Sequence, residues 1–239
     1  MSFGGISAAL SGMQSAVVRQ MIGANNIANL STPGFKSSSG FTSERPGHGG
    51  TDLASIRADL SQGPIQTATN AFDLAVSGNG LLPLETPAGI RYTRAGVFGL
   101  DGAGNLVTPQ GYRTSPPIQL PAGATGFAVG SDGTVSALLA DGSAQAVGQI
   151  PLARFANPEG LLAEGSGIMA PGPDSGPPQF GTAGVGAFGS LVSGALEGSN
   201  VDLATQMVEQ ILATRTFQFN AAALRVSDET LGTLLDIKQ

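Results

Sequence analysis

The sequence is poor in several residue types on which catalytic and metal sites depend. It contains no cysteine, no tryptophan and one histidine, His48, in 239 residues. Without cysteine there are no disulfide bonds and no thiolate metal ligands. His48 stands in the stretch Pro-Gly-His-Gly-Gly, and a glycine loop of this kind is a poor support for a general base. We therefore expect no histidine-based catalysis, no metal site and no cofactor.

Charge is also sparse. Only 12 % of the residues are charged and the formal net charge is −6, whereas about a quarter of a typical soluble domain is charged. No basic stripe is present, which argues against nucleic acid as a partner. No run of 18 apolar residues occurs, so membrane insertion is not expected. The first residues also lack the pattern of a secretory signal, so export would proceed without cleavage of such a peptide.

Both ends of the chain carry a helical pattern instead. Apolar residues at alternating spacings of four and three predict a seam along each helix. The seam of residues 3–30 comprises Ile6, Leu10, Met13, Val17, Gln20, Ala24 and Ile27. The seam of residues 199–239 comprises Val208, Leu212, Arg215, Phe219, Ala222 and Val226. Because neither helix can bury such a face alone, we expect the two to pair as a coiled coil, within one molecule or between copies.

Helix-breaking and helix-capping residues set the limits of these helices. Thr32-Pro33-Gly34 ends the first, because proline disfavours the helical conformation at the preceding residue. Ser199 or Asn200 is the expected N-cap of the second, with Asp202 placed favourably for the helix dipole.

The middle of the chain is rich in glycine and turn sequences, which predicts short strands. Gly78-Asn79-Gly80 and the turn at 101–105 each predict a hairpin. Thr134–Leu139 is bracketed by two Asp-Gly turns, and 145–155 predicts one further strand. Residues 37–51 are expected to form a loop, and 156–187 a loop with one or two strands. The fold class is thus α+β, with a helical domain of 1–32 and 199–239, a linker of 33–70 and a β-rich domain of 71–198.

Enzyme chemistry would have to rest on paired carboxylates, since any two acids can meet in space. The candidates are Glu85, Asp101, Asp132 and Asp141, but each has an ordinary role in a hairpin or turn. The sequence therefore predicts a protein that is not an enzyme.

Four blocks in the chain resemble the bacterial flagellar rod and hook protein family, in the same order. They span nearly the whole sequence: Ala24–Lys36 (ANNIANLSTPGFK), Phe72–Gly80 (FDLAVSGNG), Tyr92–Leu106 (YTRAGVF, then Asp101, Gly104, Asn105 and Leu106), and Leu196–Asp202 (LEGSNVD) with Arg215 and Asn220 downstream.

The resemblance implies an axial tube of the basal body, in which terminal helices form an inner layer and the β domain an outer layer. It implies a subunit that polymerises with itself and transmits torque from motor to hook. Its implied partners are neighbouring rod and hook proteins, the surrounding ring proteins and the type III export apparatus. Its implied place is the rod that spans the periplasm, reached by export without signal-peptide cleavage.

Length separates the members of this family. Hook proteins are usually much longer, and the single β domain here favours a rod subunit; 148–161 is most similar to the distal rod protein. A short linker after Lys36 and the sequence Gly80-Leu81-Leu82, where the family commonly has an aromatic pair, leave proximal and distal positions both open. The alternatives to a rod subunit are a hook-type axial subunit, a wall-cleaving enzyme associated with the rod, and a self-contained coiled-coil binding module.

The residues expected to serve assembly lie at the two ends. Asn25, Asn26 and Asn29 are amides on an otherwise apolar helix, and buried amides require hydrogen bonds. We expect them to bond across subunits, to fix the turn that contains Thr32, Gly34 and Phe35, or simply to cap the helix end. The full set is Ile6, Leu10, Met13, Val17, Asn25, Asn26, Asn29, Thr32, Gly34, Phe35, Asn200, Val208, Leu212, Arg215, Phe219 and Asn220.

Overall fold

The computed structural model describes residues 3–44 and 50–236. They form two compact units. The helical unit contains the described parts of 1–30, 37–59 and 201–239, and the β unit contains 31–36 and 60–200. The predicted α+β class, with a helix near each end and a mostly-β region between them, is confirmed.

The helical unit has two helices and two strands. They are α1 (Phe3–Ala28), β1 (Ser38–Glu44), β2 (Thr51–Ala58) and α2 (Leu203–Asp236). Residues 37–51 were predicted to form a loop, and over Ser38–Glu44 this is wrong: β1 pairs with β2 in antiparallel fashion, with Ser38 opposite Ala58. Residues 45–49 lie outside the described part of the chain. The polar and glycine-rich β1 lacks the apolar alternation that marks a strand in sequence. Within the described residues, no helix has the length and apolar character needed to cross a bilayer.

The two helices lie against each other in antiparallel orientation. Gly12 of α1 faces Asn220 of α2, while Gly23 faces Gln210. Between these points, the side-chain amide of Gln20 donates to the Thr214 hydroxyl over 3.0 Å. The helix α1 runs through Gly12 and Gly23 without a break. The contact is made by small and polar side chains, which allow a close approach of the two backbones.

The start of α2 differs from the prediction. Asp202, and not Ser199 or Asn200, is the residue that caps it: its Oδ1 accepts a bond of 2.7 Å from the amide of Thr205. Hydrogen bonds from Thr205 lower the pKa of the Asp202 carboxyl. A carboxylate here also interacts favourably with the positive end of the helix dipole.

The β unit holds the remaining strands and one 3₁₀ turn at Pro158–Gly160. The strands are β3 (Ile65–Thr67), β4 (Leu74–Ser77), β5 (Leu82–Thr86), β6 (Gly89–Thr93), β7 (Gly99–Leu100), β8 (Leu106–Val107), β9 (Arg113–Thr114), β10 (Ala124–Val129), β11 (Thr134–Leu139), β12 (Ala144–Gln149), β13 (Leu152–Arg154), β14 (Leu162–Gly165), β15 (Ile168–Ala170), β16 (Gln179–Gly181), β17 (Ser190–Ser193) and β18 (Ala195–Glu197).

Short sheets build this unit. The largest has the strand order β14-β15-β6-β5-β9-β8-β7, and a second has the order β10-β11-β12. Three two-stranded ladders pair β17 with β4, β18 with β3 and β13 with β16. The last two described strands before α2 thus pair with strands from the beginning of the unit.

Apolar side chains from these sheets form two clusters. The larger one includes Leu74, Leu82, Phe98, Ile118 and Leu152. The smaller one is centred on Tyr92 and Phe155, whose rings meet edge to face with centroids 4.8 Å apart. Burial of such side chains is the main favourable term in the stability of the unit.

Some of the predicted strands and hairpins are confirmed, and one hairpin is wrong. The hairpin at 101–105 and the strand Thr134–Leu139 are confirmed as β7-β8 and β11. The hairpin at Gly78-Asn79-Gly80 is wrong, because β4 pairs with β17 and β5 pairs with β6 and β9. Residues 145–155 divide into β12 and β13, and 156–187 contain three short strands.

Candidate functional site

The face of α2 that points away from α1 is apolar and exposed. It carries the large apolar residues of the predicted seam, whose exposed fractions range from 56 % at Val208 to 73 % at Phe219. Leu212 and Val226 lie between these values. The residues that bury against α1 are instead Gln206 and the neighbour of Leu212, Ala213. Because α2 faces α1 with Gln206 and Ala213, its apolar row has no partner among the described residues of the chain.

The helix α1 also leaves an apolar row outside. Leu10, Val17 and Met21 are exposed, while Ile6 and Met13 are half-buried. Ala9 and Ala16 are buried, and they lie on the side of Gly12 and Gly23, which α2 covers. Exposed apolar rows of this length mark interaction surfaces.

Two predicted residues of α2 have local partners. The guanidinium of Arg215 is exposed and donates to the side-chain oxygen of Gln218 over 3.0 Å. The amide of Asn220 donates to the carbonyl of Thr216 over 2.9 Å.

The three asparagines at the end of α1 have separate environments. Asn26 is fully buried, and its amide donates to the carbonyl of Ser38 over 2.8 Å while its Oδ1 accepts from the Ser38 amide over 2.9 Å. Asn25 is exposed. Asn29 donates to the carbonyl of Asn25 over 2.9 Å, which caps the helix end. Asn26 therefore ties α1 to β1 and not to the turn at Thr32–Phe35.

That turn belongs to the β unit. Phe35 donates its amide to the Thr32 carbonyl over 3.2 Å. Gly34 has φ +68° and donates its amide to the carbonyl of Glu197 over 2.7 Å. The amide of Asn200 in turn donates to the carbonyl of Phe35 over 3.4 Å. The predicted residues Thr32, Gly34, Phe35 and Asn200 thus meet at one place.

The centre of that place is a buried ionic cluster that sequence reasoning missed. The carboxylate of Glu197 accepts from Nζ of Lys36 at 2.6 Å and from Nε of Arg94. All three side chains are at most 5 % exposed. A signal was available: in a chain with few charges, each of these three residues stands inside one of the glycine-rich or apolar family blocks.

Backbone groups complete the cluster. Arg94 donates to the carbonyls of Val76, Gly78 and Gly80. The turn at 78–80, which was predicted to form a hairpin, therefore surrounds the guanidinium group. Lys36 donates to the carbonyl of Ser61 over 2.6 Å. These carbonyl groups hold the two cations beside the carboxylate of Glu197.

The arrangement of the candidate acids is explained by turns. Asp101, Asp132 and Asp141 each accept hydrogen bonds from residues two to four positions later, and these bonds lower the pKa of each carboxyl. In residues 3–44 and 50–236 no group of three metal-ligating side chains occurs. His48 belongs to 45–49, outside the described residues.

Three family models match the chain. The flagella basal body rod protein model matches residues 6–36. The flagellar hook protein FlgE/F/G D1 domain model matches residues 75–137. The flagellar basal body rod FlgEFG protein C-terminal model matches residues 192–237. The first model covers most of α1 with its following turn, and the last covers the whole of α2. The middle one covers the part of the β unit from β4 to β11.

Curated relatives agree with these models. The chain is 38 % identical to the flagellar basal-body rod protein FlgG of Bacillus subtilis, over 96 % of this chain and 97 % of that protein. It is 32 % identical to FlgG of Caulobacter vibrioides, over 93 % and 95 %. The match to the flagellar hook protein FlgE of Escherichia coli is 40 % identical but covers 57 % of this chain and 33 % of that protein. With full-length agreement to rod proteins and partial agreement to a hook protein, the chain belongs to the flagellar basal-body rod protein family and is a structural rod subunit.

Proposed function

We propose that this rod subunit polymerises with copies of itself through the outward apolar rows of α1 and α2. The observation that carries the proposal is the row of Val208, Leu212, Phe219 and Val226, which is exposed although the helix is already paired. Burying such side chains stabilises an assembly by roughly 1.5–3 kcal/mol for each residue fully buried. The remaining predicted assembly residues, Ile6, Leu10, Met13 and Val17, would serve the same purpose on α1.

The pairing of α1 with α2 is proposed to be of the coiled-coil type, with a seam that differs from the apolar one. Residues Gln206, Gln210, Ala213, Phe217 and Asn220 follow alternating steps of four and three along α2. Such a row is the repeat of a coiled coil. Apart from Phe217, this row is filled by polar and small side chains, which suits a pair that forms before copies of the chain meet.

The proposed partners and location are those that the family implies. The subunit would contact neighbouring rod and hook proteins and the rings around the rod, and would be delivered by the type III export apparatus. It would form part of the rod that spans the periplasm and transmit torque from motor to hook. The likeness of 148–161 to the distal rod protein, together with full-length agreement with FlgG, favours the distal position.

A concentration series on the full chain tests the polymerisation. Sedimentation velocity and electron microscopy are expected to show growing rods or tubes in the wild type and a monomer in Leu212→Glu. Gln218→Glu is the matched control, because it adds the same charge to α2 beside Arg215, outside the apolar row. Assembly by Leu212→Glu equal to that of the control would contradict the proposal.

A further inference from the structure

The chain passes between the helical unit and the β unit four times, at 30/31, 36/37, 59/60 and 200/201. On the β-unit side, these crossings end at Ser31, Lys36, Leu60 and Asn200. The ionic cluster of Glu197 lies among them.

Each β-unit end of a crossing is bonded into the surroundings of that cluster. Ser31 leads within three residues to Gly34, whose amide donates to the backbone carbonyl of Glu197. Lys36 bonds both the Glu197 carboxylate and the carbonyl of Ser61, the residue after Leu60. Asn200 donates its side-chain amide to the hydroxyl of Ser61 over 3.1 Å. Glu197 therefore bonds the segment 31–36 through both its backbone carbonyl and its carboxylate. Lys36 and Asn200 in turn bond Ser61, at the start of the segment that follows the third crossing.

The backbone there is packed so closely that side chains are excluded. A Cβ on Gly34 would overlap the backbone of Ala95, and a Cβ on Gly63 would overlap the carbonyl of Gly198. The amide of Gly63 also donates to the Glu197 carboxylate over 2.8 Å. The two cations come from 161 and 103 residues away along the chain, so the cluster forms only when distant segments have met.

We propose that Lys36, Arg94 and Glu197 are positioning residues that form an ionic clasp, which gathers the four crossings into a single base of the β unit. A buried ion pair adds little net stability compared with apolar packing, and its better-attested role is to specify one arrangement. Removal of one partner leaves a buried charge without compensation, which opens the local structure. The clasp is a property of the β unit and does not depend on polymerisation.

Amide hydrogen exchange of the full, unassembled chain tests this inference. In Glu197→Gln, peptides covering 31–36, 60–67 and 195–200 are expected to exchange at least roughly ten-fold faster, while β5 and β6 in the core keep their protection. Glu164→Gln is the matched control, because Glu164 makes a half-exposed ion pair with Arg91 at 2.7 Å; its exchange is expected to equal that of the wild type.

A second variant keeps the test decisive if Glu197→Gln fails to fold. Lys36→Met retains the pair between Arg94 and Glu197 and is expected to speed exchange in 31–36 and around Ser61, with less effect near Arg94. Equal acceleration across the whole β unit, or no acceleration at the crossings, would overturn the clasp. Neither result would bear on whether the chain polymerises, which is measured separately.

Discussion

The side-chain amide of Asn26 on α1 donates to the side-chain oxygen of Gln206 on α2 over 2.9 Å, although 180 residues separate them. Asn26 also exchanges two hydrogen bonds with the backbone of Ser38 at the start of β1. One buried amide therefore joins three elements of the helical unit. Since these groups are shielded from water, their bonds cannot be replaced by solvent when the side chain is removed.

We predict that Asn26→Ala lowers the free energy of unfolding by roughly 2–4 kcal/mol, because it leaves the backbone groups of Ser38 and the Gln206 side chain unpaired. Urea unfolding at low protein concentration measures this change. Asn25→Ala, one position earlier and exposed, is the control and is expected to cost less than about 0.5 kcal/mol. Similar losses in both variants would show that the amide does not join the elements.

Gly34 and Gly111 allow a test of the close approach beneath the clasp. Both have positive φ, +68° and +84°, but a Cβ on Gly111 would meet nothing within 4 Å. We predict that Gly111→Ala costs roughly 1–2 kcal/mol, which is the cost of the left-handed conformation alone. Gly34→Ala is expected to cost distinctly more, about 3 kcal/mol or above, because it also overlaps the backbone of Ala95.

The measurement is thermal unfolding of the two alanine variants beside the wild type. An equal loss in both would mean that the turn at Gly34 can move away from Ala95 without cost, and that the backbone there is less constrained than the structure indicates.

Two adjacent residues of α2 lie on different faces of the helix, one in the contact with α1 and one on the outer face. Ala213 is 3 % exposed and Leu212 is 60 % exposed. We predict that Ala213→Leu overpacks the contact with α1 and destabilises the monomer by roughly 1–3 kcal/mol. Leu212→Ala is expected to change monomer stability by less than about 0.5 kcal/mol while weakening assembly. Denaturant unfolding of the monomer, followed by sedimentation at high concentration, checks both; the reverse order of effects would contradict the assignment of the faces.

Two aspartates are predicted to affect acid stability with opposite signs. Hydrogen bonds from Asn105 lower the pKa of Asp101 in the folded chain. Its contribution to stability is therefore present above the unfolded-state pKa of about 4 and is lost as the pH falls through the lower folded value. Burial raises the pKa of Asp73. That carboxyl therefore opposes folding as the pH rises above about 4.

The test compares the same substitution at both positions. Asp101→Asn is expected to lower stability at pH 7, with a difference from the wild type that shrinks towards pH 3. Asp73→Asn is expected to raise stability at pH 7, again with a difference that shrinks in acid. Unfolding measured between pH 3 and pH 7 gives both curves, and curves of the same sign would contradict the assigned causes.

Much of the architecture was predictable because it rests on local patterns. The long apolar repeats predicted a helix near each end, and the Asp-Gly turns predicted β11 and the β7-β8 hairpin. The hairpin at Gly78-Asn79-Gly80 was wrong for a physical reason: a glycine turn specifies a reversal of the chain but not which strand pairs with it, and here the carbonyls of the turn bind Arg94. The strand β1 was missed because its polar residues show no alternation.

Residue order and local periodicity were enough to predict the family, the structural rather than catalytic character of the protein and the presence of its two helices. The faces of those helices and the clasp were decided only by tertiary structure. Small and polar residues, not the apolar seam, bring α1 and α2 together, and Lys36, Arg94 and Glu197 meet across more than 100 residues of chain. A pattern along one element shows which side chains are apolar. Whether they are buried depends on which other element packs against them, and the whole fold decides that.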